Sequence, residues 1–547
     1  MKPKILAAFV LCLLMAGSAY AAKLFIPMDS LGQTNHLKAY GIAFAAMQKG
    51  IKVDWLLNYK GGSFAMEYDN DLADICNSRN VSYEKISNKE YSVIIKKING
   101  PAFNGAVVTL DKVPKIAVYT PPNKEPWDDA VTLALTYAEI PFDKLYADEV
   151  LAGALDKYDW LHLHHEDFTG QYGKFWSGSR NTVWYQKDQH TMETIATKNG
   201  YKKVQQLQAA VVKKIRDFVG GGGNLFAMCS ATETFDIALA ADGVDICDTM
   251  FDGDPADANA QGKLDYSHCL AFKDFKLNTN PYAPEYSDIN NISTRYAANI
   301  GNTFRLSQFQ ARENQLSAML CQNHTDNIKD FKGKTSSFSI KTLRPDVTIL
   351  GDRLNTNVTT YNIEGQLIAS PRSEVSDAQY IHGEYGNGTW TFYGGHDPED
   401  YEHYIGAPPT DLSQHPHSPG YRLILNNALS PAAKRVVTPT VFCCDSMNTP
   451  APQSPPGLVH SANLKIADFV KIYPNPANSE ILISASKSTT GDVVTTIEKV
   501  EVLDISGKLA LTRSFNAQQA TIDMKGLKPG MYMIKVNGEN VGKVIKD

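Results

Sequence analysis

Short apolar runs alternate with segments of helical spacing through the middle of the chain. The runs at 116–119, 160–163 and 224–228 are predicted strands, and apolar residues recur every three to four positions over the predicted helix 204–219. Short apolar strands that alternate with helices are typical of parallel sheets with both faces covered. The pattern therefore predicts an α/β fold with a parallel sheet flanked by helices, in which ligands bind at the carboxyl ends of the strands.

The pattern changes on both sides of this central stretch. Residues 22–110 are also predicted to form α/β units, whereas the segment from about 252 to 358 is irregular and rich in Asn, Asp, Tyr and Pro. We interpret the second segment as a long insertion, after which the sheet is predicted to resume at 366–369 and 389–393. The predicted boundaries are 22–110 for an N-terminal α/β region, 111–444 for the domain that carries the insertion, 445–468 for a proline-rich linker and 469–547 for a C-terminal domain.

The first 21 residues have the pattern of a secretory signal peptide. Lys2 and Lys4 precede the apolar run 5–16, and residues 19–21 (AYA) form a small-x-small cleavage site. The apolar run is too short to span a bilayer, and no longer run follows it, so no integral membrane segment is predicted. Export through the periplasm is expected to produce a mature chain that begins at Ala22.

Charge and cysteine content narrow the possible partners and cofactors. The net charge of -6 leaves no basic surplus that could neutralise phosphates, so no nucleic acid partner is expected. Seven of the eight cysteines remain once Cys12 leaves with the signal peptide. In an oxidising compartment up to three disulfides could form, with one thiol left over. Neither a C-x-x-C pair nor a cofactor-binding motif occurs, so no metal and no cofactor is predicted.

The last 80 or so residues alternate like β-strands and carry four motifs in a fixed order. These are 472–477 (IYPNPA), 502–508 (VLDISGK), 527–532 (LKPGMY) and 543–546 (KVIK). This arrangement resembles the type A sorting domain of the type IX secretion system. The resemblance implies an all-β sandwich over 469–547, recognition by the type IX secretion machinery, and a final location outside the cell or at its surface.

Two central segments resemble the class I glutamine amidotransferase-like superfamily. The first is 223–231 (GNLFAMCSA), and the second combines 394–399 (GGHDPE) with 421–428 (YRLILNNA). In the first, a strand enters a sharp turn that delivers a cysteine before a helix, whose N-terminal amides lower the pKa of the thiol and offer an oxyanion site. The resemblance implies catalytic roles for Cys229 as nucleophile, His396 as base, and Glu399 or Asp397 as the group that orients the imidazole.

The sequence departs from the family pattern at three positions. Ala227 and Ala231 stand where the family elbow has glycine, and Pro398 stands where an acid follows the histidine. Alanine is still small enough for the turn, but the third catalytic member is left undecided. The alternatives for Cys229 are a half-cystine or an inert buried thiol, and the alternative for His396 is a loop histidine bonded to its neighbouring carboxylate.

A further polar cluster follows the predicted strand 160–163. We expect His164, His165 and Glu166 to lie beside the same cleft and to contact substrate, since they follow the carboxyl end of a strand. His162 precedes them, and the cluster has the chemistry of metal ligands or of a structural network as well. More distant histidines in a Pro-rich loop could line the rim of the cleft, namely His403, His415 and His417.

Two functions remain open at this point. The first is an exported cysteine-dependent hydrolase or amidohydrolase that acts on an unknown extracellular amide or ester. Similar exported proteins are sometimes labelled asparagine synthetase B, but signal processing here exposes Ala22 where that synthetase has a cysteine, and no ATP-binding motif occurs. The second is a non-catalytic surface protein that binds glycans or peptides and retains the fold.

Overall fold

The structure is a computed structural model in which the described residues are 22–121, 129–163, 165–290, 303–354, 360–361, 367–369, 375–401, 408–433, 470–473, 479–485, 497–504, 508–517, 519–537 and 539–546. The chain divides into two compact units, Met1–Pro439 and Thr440–Asp547. The predicted signal peptide, residues 1–21, and the predicted linker, residues 445–468, lie outside the described residues. The domain boundaries predicted from the sequence therefore remain predictions.

The N-terminal region forms an antiparallel sheet of its own. Its strands are β1 (Ala22–Ile26), β2 (Val53–Leu57), β3 (Ser63–Glu67), β4 (Glu84–Ser87) and β5 (Ala106–Leu110), and its helices are α1 (His36–Gln48), α2 (Asn70–Ser78) and α3 (Asn88–Ile98). The spatial order is β4-β1-β3-β2-β5, with every neighbouring pair antiparallel. The expected strand–helix alternation fails at β2 and β3, because the short turn between them joins antiparallel strands and leaves no room for a crossover helix.

The large sheet contains ten strands of mixed direction. Its strands are β6 (Ile116–Tyr119), β7 (Asp143–Leu145), β8 (Trp160–Leu163), β9 (Asn224–Met228), β10 (Thr303–Leu306), β11 (Asn327–Lys329), β12 (Phe338–Ser339), β13 (Thr348–Leu354), β16 (Val375–Tyr385) and β17 (Gly388–Tyr393); β14 (Thr360–Tyr361) and β15 (Leu367–Ala369) form a separate hairpin. The order is β11-β10-β13-β16-β17-β9-β8-β6-β7, with β12 paired to β16. Strands β7, β6, β8, β9 and β17 are mutually parallel.

The predicted parallel sheet is thus correct for the centre and wrong for one flank. Strands β16, β13, β10 and β11 extend the sheet in antiparallel fashion. Three of these strands come from the predicted insertion, which is therefore part of the sheet rather than an appendage to it. The predicted return of the sheet at 366–369 is also wrong, since β15 pairs only with β14. Strand β16 is joined to β17 by a hairpin, so it can pair with the edge of the parallel sheet without a crossover connection.

Helices cover both faces of the parallel strands. They are α4 (Ala130–Ala138), α5 (Ala147–Leu151), α6 (Trp176–Ser179), α7 (Val183–Lys198), α8 (Val204–Gly220), α9 (Ser230–Ala240), α10 (Thr249–Asp252), α11 (Ala260–Lys263), α12 (Gln315–Leu320) and α13 (Pro419–Leu429). Because side chains alternate along β9, Phe226 and Met228 enter the core shared with α1, α4 and α13, while Leu225 and Ala227 enter the core shared with α8 and α9. Both faces of the strand that precedes Cys229 are therefore fixed by packing.

Helix α13 ties the large sheet to the N-terminal region. It begins at Pro419 after the N-cap Ser418, whose hydroxyl accepts from the Tyr421 amide, a favoured start for a helix. Its Arg422 is fully buried and donates to the carbonyl oxygens of Met28 (3.1 Å) and Gly61 (2.8 Å). These two carbonyls belong to loops of the N-terminal region, so this guanidinium adds a buried polar link to the apolar core that the two sheets of this unit share.

The C-terminal unit consists of antiparallel sheets. Strands β18 (Val470–Tyr473), β19 (Glu480–Ala485) and β22 (Gln519–Asp523) form one sheet, and β20 (Ile497–Asp504), β21 (Leu509–Ala517), β23 (Gly530–Val536) and β24 (Glu539–Lys546) form the other. Alternate residues of both sheets, such as Ile481, Val500 and Ile534, meet in one hydrophobic core. The alternating pattern read from the sequence thus corresponds to antiparallel β structure.

Candidate functional site

Cys229 occupies a sharp turn between β9 and α9. Its backbone has φ 53° and ψ -136°, which is an uncommon conformation for a residue with a side chain. Strand, strained residue and helix together form the arrangement of a nucleophile elbow. The neighbouring Ala227 and Ala231 are fully buried, so small side chains are needed at these positions even though they are not glycines. Strain of this kind, of about 1–3 kcal/mol, concentrates at functional sites.

The parallel register brings His396 next to Cys229. Met228 at the end of β9 is level with Tyr393 at the end of β17, so the residues that follow both strands leave the sheet at the same edge. The Cys229 amide donates to the Gly395 carbonyl at 2.9 Å. The His396 imidazole forms a hydrogen bond with the Cys229 thiol. Two residues far apart in the sequence thus meet because their strands are neighbours.

The polar groups around the sulfur favour the thiolate. Burial raises the pKa of the Cys229 thiol, but the hydrogen bond from His396, the charge of that imidazole, and the backbone amides of Lys334 and Ser230 outweigh burial and lower the pKa below its usual value. The Lys334 amide lies 3.1 Å from the sulfur. A buried, hydrogen-bonded thiol with a lowered pKa is the form that reacts as a nucleophile.

The loop that carries Lys334 packs backbone to backbone against the loop that carries His396. The His396 amide donates to the Lys332 carbonyl at 2.8 Å, and the Gly395 amide donates to the Thr335 carbonyl at 2.9 Å. Gly395 has φ +104°, and a Cβ there would lie 2.4 Å from the Phe331 ring. The glycine is needed for this close approach, and it fixes the position of the imidazole relative to the sulfur.

Of the polar residues in and after β8, one lies in the core and others lie beside Cys229 and His396. His165 lies with its ring centroid 5.0 Å from that of His396, and its carbonyl accepts from the Ser230 hydroxyl at 2.8 Å. The Glu166 carbonyl accepts from the Thr234 hydroxyl at 3.0 Å. His162 is fully buried and bonds to Asp129 at 2.9 Å, which is a structural role. His164 lies outside the described residues, as does His403.

Asp397 and Glu399, the possible partners of the His396 imidazole, each make hydrogen bonds to other groups. Asp397 accepts from the Glu399 amide at 2.8 Å and so organises the turn after the histidine. Glu399 accepts from the Tyr401 hydroxyl at 2.7 Å and lies 3.2 Å from His415 Nδ1. The identity of the third catalytic member therefore stays a prediction.

The remaining loop histidine, His417, belongs to a different cluster. Its Nδ1 lies 2.9 Å from Nδ1 of His36, whose ring stacks on that of His324. Burial and then the nearby Arg422 charge lower the pKa of His36 to about 2. This cluster is therefore uncharged at His36 and packs between α1 and α13 rather than beside Cys229.

Three site residues were not predicted from the sequence. Lys334 and Tyr286 lie in the insertion, and Glu233 lies on α9, one turn after the cysteine. Glu233 accepts from the Ser287 hydroxyl at 2.6 Å and from the Thr335 hydroxyl at 2.7 Å, so it anchors two insertion segments beside the elbow. An acid one turn after the cysteine is a usable signal for Glu233, although the same helix also carries the buried Asp236. The irregular insertion offered no comparable signal for the other two.

Glu233 is expected to make the stability of the protein depend on pH. Burial, opposed by the two hydroxyl donors, raises the pKa of Glu233 to about 7. A carboxyl with a raised pKa in the folded state stabilises the fold fully below its unfolded pKa, about 4.3, and this contribution is lost as the pH rises through the folded value. We therefore expect the Tm of Glu233→Gln, relative to wild type, to increase from pH 5 to pH 8 in thermal melts.

The exposed Glu313→Gln variant is the matched control for the loss of one carboxylate. A Tm difference between Glu233→Gln and wild type that stays constant from pH 5 to pH 8 would show that Glu233 does not titrate with folding.

The described cysteines form no disulfides with one another. Cys76, Cys229, Cys247, Cys269 and Cys321 are all free thiols, and Cys443 and Cys444 lie outside the described residues. The predicted bridges are therefore unconfirmed, and the half-cystine alternative for Cys229 is not what the structure contains. Burial raises the pKa of Cys76 to about 12 and raises that of Cys247, Cys269 and Cys321 as well.

One group of described residues has the composition of a metal site. The ligand atoms of Asp245, Cys247 and Asp252 lie within 4.8 Å of one another. However, the Lys203 ammonium pairs with Asp245 and lies 3.1 Å from Asp252. Because the Lys203 ammonium already bonds to these carboxylates, we interpret the cluster as an ion-pair network.

Comparison with known proteins identifies the C-terminal domain. Residues 471–547 match the family described as the secretion system C-terminal sorting domain. No curated protein matches the chain. No helix within the described parts of the chain is long and apolar enough to cross a membrane.

Solved structures give only distant likenesses. The cytoplasmic protein STM3548 from Salmonella typhimurium is 9% identical over 59% of this chain and 100% of that chain, with a TM-score of 0.27. The β-galactosidase from Bacillus circulans sp. alkalophilus is 10% identical over 77% of this chain and 41% of that chain, with a TM-score of 0.24. Scores this low carry no argument about fold or function. The family match at 471–547 does support a conclusion about location. These residues form a type IX secretion C-terminal sorting domain, and the protein is therefore a secreted or cell-surface protein.

Proposed function

We propose that the unit Met1–Pro439 is a cysteine-dependent hydrolase of the glutamine amidotransferase-like type that acts on an amide or ester outside the cell. The observation that carries this proposal is the convergence on one sulfur of the His396 imidazole, the Lys334 amide and the Ser230 amide. An inert structural thiol needs none of these groups. A nucleophile needs a base beside it and amides that stabilise negative charge.

In the proposed reaction, the Cys229 thiolate attacks the carbonyl carbon of the substrate. The amides of Ser230 and Lys334, which face the sulfur in the resting site, donate to the oxyanion that forms. His396 gives a proton to the departing nitrogen or oxygen as the bond to the carbonyl breaks, which leaves a thioester. His396 then removes a proton from water, the hydroxyl adds to the thioester, and the acid product leaves as the thiolate is regenerated.

A second candidate is a non-catalytic protein that binds glycans or peptides. The observation that favours it is a group of aromatic side chains near Lys334. The Phe175 ring lies beneath the Lys334 ammonium, and the rings of Trp176 and Tyr282 meet edge to face at 5.8 Å, with Tyr282 64% exposed. Exposed aromatic faces are a common platform for sugars and peptides. This function would not need a reactive thiol.

Rapid alkylation with iodoacetamide distinguishes the two candidates. On the native mature protein near pH 7, we expect Cys229 to react at least about a hundredfold faster than the other described thiols, because its pKa is lowered and theirs are raised. Peptide mass mapping after short exposures gives the rate at each cysteine. The four other described thiols are internal controls in the same sample, and denatured protein shows that all of them can be labelled.

If Cys229 reacts no faster than Cys321 or Cys76 in the folded protein, the hydrolase proposal fails and glycan or peptide arrays become the next experiment. If Cys229 alone reacts, amide and ester libraries are the direct route to the substrate. A Cys229→Ala variant is expected to hydrolyse none of the compounds that the wild type cleaves.

A further inference from the structure

The Lys334 side chain lies at the candidate active site without an acidic partner. Its backbone amide contacts the Cys229 sulfur, so its side chain leaves from a residue that already touches the reactive atom. Its Nζ lies 4.3 Å from the centroid of the Phe175 ring and 5.9 Å from that of Tyr286. Among the described residues, no carboxylate lies within ion-pair distance of this ammonium.

The neighbouring Lys174 differs from Lys334 because its ammonium has hydrogen-bond acceptors. Its Nζ donates to the carbonyls of Asn278 (2.6 Å) and Glu285 (2.8 Å), and so it ties two loops together. Lys334 has no such acceptors. Burial lowers the pKa of the Lys334 ammonium, which means that it is largely withdrawn from water. Carboxylates act on this ammonium only at a distance, so a buried cation without a direct hydrogen-bond acceptor is costly unless a ligand supplies that acceptor.

A second buried polar group lies in the same place. The Tyr286 side chain is 2% exposed; its hydroxyl makes no hydrogen bond of ordinary length, and Asp167 is the acceptor that acts on it. Burial raises the pKa of the Tyr286 phenol, and the charge of Asp167, hydrogen bonding to Asp167, and the charges of Glu233 and Cys229 raise it further. An ammonium without a hydrogen-bond acceptor and a buried hydroxyl therefore both lie close enough to the thiol to interact with its charge.

We propose that the Lys334 ammonium binds a carboxylate group of the substrate that Cys229 attacks, with the Tyr286 hydroxyl as a second donor. The substrate class is then an amide or ester whose acyl part carries a carboxylate close to the reacting carbonyl. This inference rests on the proposed hydrolase function and makes it more specific. Asp167, Glu233 and Glu285 act electrostatically on Lys334, so a singly charged carboxylate suits this environment better than a doubly charged phosphate.

Two alkylating agents with the same leaving group test the proposal directly. Iodoacetate carries a carboxylate next to its reactive carbon, and iodoacetamide carries a neutral amide there. We expect the ratio of the iodoacetate to the iodoacetamide rate at Cys229 to exceed the ratio for free cysteine by about tenfold, because Lys334 attracts the carboxylate. In Lys334→Met the ratio is expected to fall to that of free cysteine, while Lys334→Arg keeps most of the preference. The Met variant retains the backbone amide.

Lys332→Met is the matched control, since Lys332 is exposed and only two residues away. It is expected to keep the wild-type ratio. An unchanged ratio in Lys334→Met, or an equal fall of both rates, overturns the role of Lys334. Rates measured across pH separate a change in carboxylate binding from a change in the thiol pKa.

A second measurement does not depend on a reactive thiol. Succinate is expected to raise the Tm of the wild type and to protect Cys229 from iodoacetamide, with neither effect in Lys334→Met. Because sulfate and phosphate stabilise folded proteins non-specifically, each shift is taken as the difference between wild type and Lys334→Met, and a larger difference with phosphate or sulfate than with succinate would overturn the carboxylate assignment. Slow iodoacetamide labelling combined with succinate stabilisation would refute the hydrolase function and leave anion binding by Lys334 standing. The failures of the two proposals are thus distinguishable.

Discussion

Replacing His396 with alanine is expected to slow the alkylation of Cys229 by about ten- to a hundredfold at pH 7. The hydrogen bond and the charge of His396 are the largest of the influences that oppose burial at this thiol. Without them the sulfur stays buried, its pKa rises, and each unit of that rise reduces the thiolate fraction about tenfold. Stopped-flow or quenched labelling with iodoacetamide, followed by mass mapping of Cys229, measures the effect.

The pH dependence of the same variant identifies the cause. The labelling rate of His396→Ala should recover as the pH is raised, because the thiolate still forms at higher pH. Hydrolysis of any identified substrate should fall by a further factor, about 10²–10⁴ in total, since proton transfer is lost as well. His415→Ala is the matched control, because His415 contacts Glu399 in the same region. Equal labelling rates in wild type and His396→Ala at pH 7 would remove the basis for the dyad.

Replacing Arg422 with methionine is expected to destabilise the unit Met1–Pro439 by about 3–5 kcal/mol. The guanidinium is fully buried, and its loss leaves the Gly61 carbonyl without a donor and the Met28 carbonyl with His36 as its one remaining side-chain partner. Hydrogen bonds from a charged donor contribute about 1.5–3 kcal/mol each, and a buried acceptor left unsatisfied keeps its desolvation penalty. Methionine fills similar space, so the effect is caused by lost hydrogen bonds rather than by a cavity. Denaturant unfolding measures it as a fall in the midpoint.

The exposed Arg305→Met is the control for removing an arginine from this unit. Arg305 pairs with Asp326 at the surface, where such pairs contribute little. Its midpoint should therefore stay close to that of the wild type. Arg422→Lys should fall between the two, because an ammonium can reach one carbonyl but does not have the planar fork of the guanidinium. A wild-type midpoint in Arg422→Met would mean that the other contacts between the N-terminal region and the large sheet, such as the Tyr40–Asn426 hydrogen bond and the shared apolar core, are sufficient without Arg422.

The local features of the candidate site follow from short stretches of sequence. The apolar run before Cys229 predicts a strand, and the small residues Ala227 and Ala231 permit the sharp turn into a helix. The structure has β9, the strained cysteine and α9 in these positions. Local patterns succeed here because strand periodicity, side-chain volume and helix initiation depend on neighbours within a few residues.

Features that depend on distant partners were predicted less well. The sequence of the insertion is irregular, yet its strands pair with β16, and its residues 287 and 335 bond to Glu233. The N-terminal region has the apolar runs expected of α/β units but folds as an antiparallel sheet. Strand direction is set by which strands meet and by the length of the connections between them, and neither is encoded in the apolar pattern of a single strand.

The sequence by itself determined where this protein goes and which cysteine stands at the turn between a strand and a helix. Each sorting motif is a run of a few residues, as is the strand–cysteine–helix pattern, so each can be recognised without knowledge of distant contacts. Only the tertiary structure decided what surrounds the cysteine. His396 reaches it because β9 and β17 are parallel neighbours in register, and Lys334 reaches it because the insertion folds back onto the turn after β17. Contacts across more than a hundred residues arise from the packing of whole elements, which no local pattern specifies.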